Sequence, residues 1–78
     1  MEDLRVFLQQ EIEELIFTKV GFDESLLKTK LLDSIAVIDL AVAIERKTDI
    51  SISSTDINEE NFDNIERLLN FIEAKRKI

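Results

Sequence analysis

From Ile35 to Ile44, ten consecutive residues hold one polar side chain, Asp39. A stretch this apolar must be covered, yet it is far shorter than the roughly 20 residues that cross a bilayer as a helix. It therefore reads as a core helix, covered on one face by other helices and open to a visiting partner on another. The run is entered through Asp33-Ser34, two residue types whose oxygens accept hydrogen bonds from the free N–H groups of a first helical turn. Ser34 then stands at the rim beside the positive end of the helix dipole, where a bound or attached phosphate is favoured.

The rest of the chain supplies the cover. Leu4, Phe7, Leu8, Ile12, Leu15 and Ile16 recur at helical spacing and predict a first helix from about Glu2 to Thr18, with Gln9, Gln10, Glu13 and Glu14 facing away. Gly21, the only glycine, is the natural place to leave helical geometry. Residues 19 to 33 form a connection at the upper end of what a compact domain tolerates unstructured. Phe22, Leu26, Leu27 and Leu31 are expected to pin it across the helices.

A second helix spans Ser34 to about Thr48, with Arg46 and Lys47 at its negative end. Ile50 to Ser53 alternates as a strand would but has no strand to pair with, so it reads as extended loop. Thr55 or Asp56 caps a single-turn third helix through about Asn61, and Asp63 with Glu66 has the form of a capping box opening a fourth. Ile65, Leu68, Leu69 and Ile72 form that helix's inward stripe, and Lys75-Arg76-Lys77 suit its C-terminal end. The expected fold is all-α, a small four-helix bundle of three long helices and a short third, in a single domain over residues 1–78.

Composition narrows the function. A chain of 78 residues buries roughly 60% of its unfolded surface, which leaves little room for a deep active site beside a core. It has no cysteine and no histidine, so disulfides, thiolate metal sites, a cysteine nucleophile and the commonest general base are all absent. No residue stands out as catalytic and no cluster as a metal site. No stretch has the form of a signal peptide or a membrane span, which makes the cytoplasm the expected location. The net charge of −7 is concentrated: residues 33 to 66 hold nine acids against two bases, and the remainder balances at eight of each. Such a field repels nucleic acid and anionic lipid and steers basic protein surfaces toward Ser34.

At Asp33-Ser34-Ile35 with Asp39, the chain resembles the acyl carrier protein and peptidyl carrier protein superfamily. The likeness extends upstream through Leu26-Leu27-Lys28-Thr29-Lys30-Leu31-Leu32 and downstream through Ile50-Ser51-Ile52, Asp56-Ile57 and Asn61-Phe62-Asp63-Asn64-Ile65. It implies an acyl-carrier-protein-like bundle with a 4′-phosphopantetheine arm, donated by coenzyme A, attached to Ser34 as a phosphodiester. The arm supplies the thiol that the chain lacks and carries an acyl or aminoacyl thioester.

The resemblance further implies that Asp33 belongs to the surface read by the phosphopantetheinyl transferase and its Mg²⁺. It makes Ile35, Asp39 and Glu45 contacts for partner enzymes, and gives Ile52 a place either against the cargo or in the core. The implied partners are that transferase, a loading enzyme and a downstream synthase or transferase, met by a monomeric carrier. Lys30 stands where the family usually has glycine, Ala36 where a second acid is frequent, Thr48 where an apolar residue often closes the helix, and Ser53 where proline is common. These departures point from the fatty-acid type toward a freestanding carrier of a specialised pathway. Read without the resemblance, Ser34 is first of all a helix-start serine, a common residue in that place. The same acidic face would also serve a non-covalent helical adaptor that binds a basic partner through Asp39 and Glu45.

Overall fold

The computed structural model describes residues 2–76, and among them regular structure is entirely helical. Helix α1 spans Glu2–Ile16, α2 Ser34–Thr48, α3 Glu59–Phe62 and α4 Ile65–Arg76, with a 3₁₀ turn at Ser54–Asp56 before α3. This is the expected bundle of three long helices and a short third. No helix among the described residues is long and apolar enough to cross a membrane. Lys77, assigned to the basic tail, lies outside the described residues.

The inward stripes meet as their spacing requires. Leu8 and Ile12 of α1, Leu40 and Ile44 of α2, Phe62 of α3 and Ile65, Leu68 and Ile72 of α4 are fully buried. Each such side chain contributes about 1.5–3 kcal/mol by leaving water. Phe62 and Phe71 pack as a tilted pair with ring centroids 5.7 Å apart. Helices α1 and α2 pack against each other: the Lys47 ammonium lies 5.3 Å over the Phe7 ring, and Glu11, Ala43 and Arg46 line the same shallow groove.

The long connection is pinned by apolar side chains, with Leu26 and Leu32 buried and Phe22, Leu27 and Leu31 packed against the core. Its backbone is fixed by polar ties that periodicity does not reveal. Gln9 Nε2 donates to the Val20 carbonyl at 2.8 Å, and Glu13 Oε2 accepts the Val20 N–H at 3.1 Å. These two side chains, expected to face away, instead fasten the loop to α1. The Phe22 carbonyl accepts the N–H groups of Ile65 and Glu66, and so closes the start of α4.

Three boundaries differ from the sequence expectation. Helix α1 ends at Ile16 because Phe17 turns left-handed, φ 59°, with its N–H on the Glu13 carbonyl at 2.8 Å; Gly21 has no positive φ and is not the exit. The third helix divides in two. Asp56 Oδ2 accepts the Ser53 N–H at 3.1 Å at the 3₁₀ turn, and Asn58 Oδ1 accepts the Asn61 N–H at 3.0 Å to cap α3.

The third difference concerns Asp63, which does not cap α4. It is 4% exposed and turns toward the long connection, accepting the Ser25 hydroxyl at 2.8 Å and the N–H groups of Leu27 at 3.0 Å and Lys28 at 3.1 Å. Asn64 takes over the cap, accepting the Arg67 N–H at 2.8 Å. Burial works against the Asp63 charge, but the Lys28 N–H, the Ser25 hydroxyl and the Leu27 N–H together outweigh it and hold the carboxyl below its usual range.

Candidate functional site

The first turn of α2 is built by Asp33. Its backbone is extended (φ −85°, ψ −178°), and Oδ1 accepts the N–H groups of Ile35 at 3.1 Å and Ala36 at 2.8 Å. Two of the orphan donors of the helix start are thereby satisfied by one carboxylate. The consequence falls on the next residue. Ser34, the first residue of α2, is exposed, and among the described residues nothing takes up its hydroxyl. The same Asp-Ser pair that reads as two candidate caps is divided between a cap and a free nucleophile-bearing oxygen.

What precedes Ser34 is held from behind. The Leu26 N–H donates to the Asp63 carbonyl, the Lys30 N–H to the Leu27 carbonyl at 3.1 Å and the Leu32 N–H to the Leu26 carbonyl at 3.1 Å. With Leu32 buried, the chain delivers Asp33 and Ser34 from a fixed point. Lys30 adopts φ 63°, the left-handed region that favours glycine. The glycine usual at this position therefore has a conformational reason, which this chain meets with a lysine.

The outward face of α2 follows from its inward one. Val37, Leu40, Ala41 and Ile44 are buried, so the positions opposite them face solvent: Ile35 is 72% exposed, Ile38 55% and Val42 40%. Asp39 is exposed among them. Ile35 and Asp39, predicted as contacts, share this face one turn apart. Ile38 and Val42 were not singled out from the sequence, although their spacing of three and seven from Ile35 carries the signal once the buried stripe is assigned.

Glu45 and Ile52 are brought together, but with each other. Glu45 Oε2 accepts the Ile52 N–H at 2.7 Å, and the half-buried Ile52 packs against the core. The pair fastens the loop that follows α2 across its left-handed C-cap, Asp49 at φ 61°. Further along, Lys75 Nζ meets Asp56 Oδ2 at 3.1 Å. The Ser53 N–H first, and then this ammonium, hold the Asp56 carboxyl below its usual range.

Chemically, the arrangement offers one unengaged hydroxyl at a helix start, ringed by apolar side chains and acids. Two open depressions among the described residues lie elsewhere, at Thr48–Ser51 with Lys75 and Arg76 and between Phe7 and Lys47. A family model described as "Phosphopantetheine attachment site" matches residues 8–72. No curated protein matches the chain.

Proposed function

The chain belongs to the phosphopantetheine attachment-site family, and from that membership we propose that Ser34 bears the arm and that the chain acts as a carrier for an acyl or aminoacyl group in a biosynthetic pathway. The family match spans most of the sequence, so a carrier bearing a covalent 4′-phosphopantetheine is its plain reading. The single observation that supports Ser34 as the site is the division of labour at α2: Asp33 supplies the cap, so the Ser34 oxygen is left exposed and unengaged. Attachment requires a hydroxyl whose oxygen can bond to phosphorus and whose proton can leave. A cap donating to or accepting from the helix backbone would be poorly suited to it.

When bound, the arm supplies a thiol that holds cargo as a thioester. The chain's own contribution is to fix the point of attachment and to orient it, through Asp33 in front and through Leu32 and the Asp63-held loop behind. We assign Ile35 and Asp39 to the surface that partner enzymes read, with Asp33 presented beside them to the transferase. Glu45 and Ile52 act on that surface indirectly, by fixing the loop beside α2. The role is presentation, with rate enhancement left to the enzymes that visit.

Intact-protein mass spectrometry after incubation with coenzyme A, Mg²⁺ and a broad-specificity phosphopantetheinyl transferase tests the site. The wild type is expected to gain one phosphopantetheinyl group and Ser34→Ala none, with the variant's fold intact because the cap belongs to Asp33. Modification of Ser34→Ala would move the site elsewhere. Failure of the wild type to be modified by any transferase would favour the adaptor reading.

A further inference from the structure

Four consecutive residues of the long connection are held by one residue of the α3–α4 junction. The Asp63 carboxylate accepts the Ser25 hydroxyl at 2.8 and 3.0 Å and the N–H groups of Leu27 at 3.0 Å and Lys28 at 3.1 Å, while its main-chain carbonyl accepts the Leu26 N–H. Asp63 is itself fixed at the end of α3, where its N–H donates to the Glu59 carbonyl at 3.2 Å. The held residues then hold the next ones. The Leu27 carbonyl accepts the Lys30 N–H and the Leu26 carbonyl accepts the Leu32 N–H, each at 3.1 Å. Hydrogen bonds thus lead from Asp63 through Leu26 to Leu32, two residues short of Ser34.

Beyond Leu32 the support stops. Asp33, Ser34 and Ile35 are exposed, and the next buried side chain is Val37. Ser34 therefore stands on a short span between two buried points, and its place depends on where Leu32 delivers the chain. Asp33 makes its cap from an extended backbone at ψ −178°. A displaced Leu32 would swing that carboxylate off the Ile35 and Ala36 N–H groups and loosen the first turn of α2, which carries Ser34.

Resting on the Ser34 reading, we propose that Asp63 is a positioning residue for the modification of Ser34: through Leu26 and Leu32 it sets where the hydroxyl stands when coenzyme A is brought to it. In that transfer the Ser34 oxygen bonds to the phosphorus that carries pantetheine, the pyrophosphate linkage of coenzyme A breaks with adenosine bisphosphate leaving, and the serine proton passes to a base. Asp63 touches none of these atoms. A displacement of this kind depends on where the nucleophile stands, and misplacing a reacting atom by about 1 Å can cost on the order of 10²-fold in rate.

The test is the initial rate of phosphopantetheinyl transfer from coenzyme A by a broad-specificity transferase, over a range of carrier concentrations, with each variant's folded fraction checked by circular dichroism. Asp63→Ala should lower kcat about ten-fold and leave KM little changed, because Ile35 and Asp39 are untouched. Asp63→Asn should stay near wild type, since its amide oxygen can accept the Leu27 and Lys28 N–H groups and its amide nitrogen can donate to Ser25. Leu4→Ala removes a buried side chain of α1 outside these hydrogen bonds; it should lower stability and leave kcat unchanged. If Asp63→Ala does not fold, Ser25→Ala decides: it loses one tie and should lower kcat about three-fold, and an unchanged kcat there would overturn the proposal. So would an unchanged kcat in folded Asp63→Ala, an effect confined to KM, a loss in Asp63→Asn as large as in Asp63→Ala, or an equal loss in Leu4→Ala. These outcomes, with the wild type modified, leave the Ser34 reading standing. A wild type that gains no arm would bring down that reading, and the positioning role with it.

Discussion

Asp33 and Asp63 occupy matching places in the chain, each just ahead of a long helix, and the structure uses them in opposite ways. Asp33 is exposed and bonds N–H groups two and three residues on, those of Ile35 and Ala36. Asp63 is buried and bonds groups more than thirty residues away, the Ser25 hydroxyl and the N–H groups of Leu27 and Lys28. A capping rule describes what an aspartate does when only local donors compete for it. Where tertiary contact brings several donors to one carboxylate, the distant set wins and a neighbour, here Asn64, takes the cap. The first arrangement frees Ser34; the second fixes the loop that delivers it.

The contrast makes unequal demands on stability, and the largest effect should be at Asp63. Replacing it with alanine strands the Ser25, Leu27 and Lys28 donors and should cost about 3 kcal/mol, read by urea denaturation. Its charge also sets a pH dependence. Because the folded carboxyl is held below its usual range, its contribution is complete above the unfolded value of about 4 and is lost as pH falls through the lower folded value. Asp63→Asn should flatten the acid limb of the stability curve. What remains of that limb belongs in part to Asp56, also held low, by the Ser53 N–H and then Lys75. An unchanged acid limb in Asp63→Asn would show that the charge on Asp63 adds nothing to the hold on the loop.

Asp33→Ala should cost about 1 kcal/mol, the ordinary loss of an N-cap, with no effect on the loop. Equal losses at Asp33 and Asp63 would erase the distinction between a local cap and a long-range tie. The smallest effect should be a gain. Lys30→Gly removes a side chain from a left-handed residue, and it should stabilise the fold by about 0.5 kcal/mol after the added freedom of the unfolded chain is subtracted. A loss on this substitution would mean that the Lys30 side chain packs in a way that its exposure does not suggest.

Most of the helical architecture was legible because it rests on repetition. The stripes Leu4-Leu8-Ile12 and Ile65-Leu68-Leu69-Ile72 state in sequence which face turns inward, and burial follows them. The start and end of α2 were legible because a cap and a dipole act within one turn: Asp33-Ser34 at one end and Arg46-Lys47 at the other. Ser34 could be singled out on the same ground. The exposed partners of Ile35 needed one further step, since Ile38 and Val42 become outward positions only after Val37, Leu40, Ala41 and Ile44 have been assigned to the core.

By itself the sequence determined the three long helices, their inward faces and the helix start that carries Ser34, because each is set by contacts between residues a few positions apart. Only the tertiary structure decided that Gln9 and Glu13 clasp Val20, that Glu45 serves Ile52, that Asp63 leaves its helix for a loop, and that α1 ends at Ile16 with Phe17, not Gly21, as its exit. In the first three of these a polar group chooses among partners beyond its own helical turn. The choice is made by which donors and acceptors packing brings within hydrogen-bond distance while excluding water, and no local pattern records that.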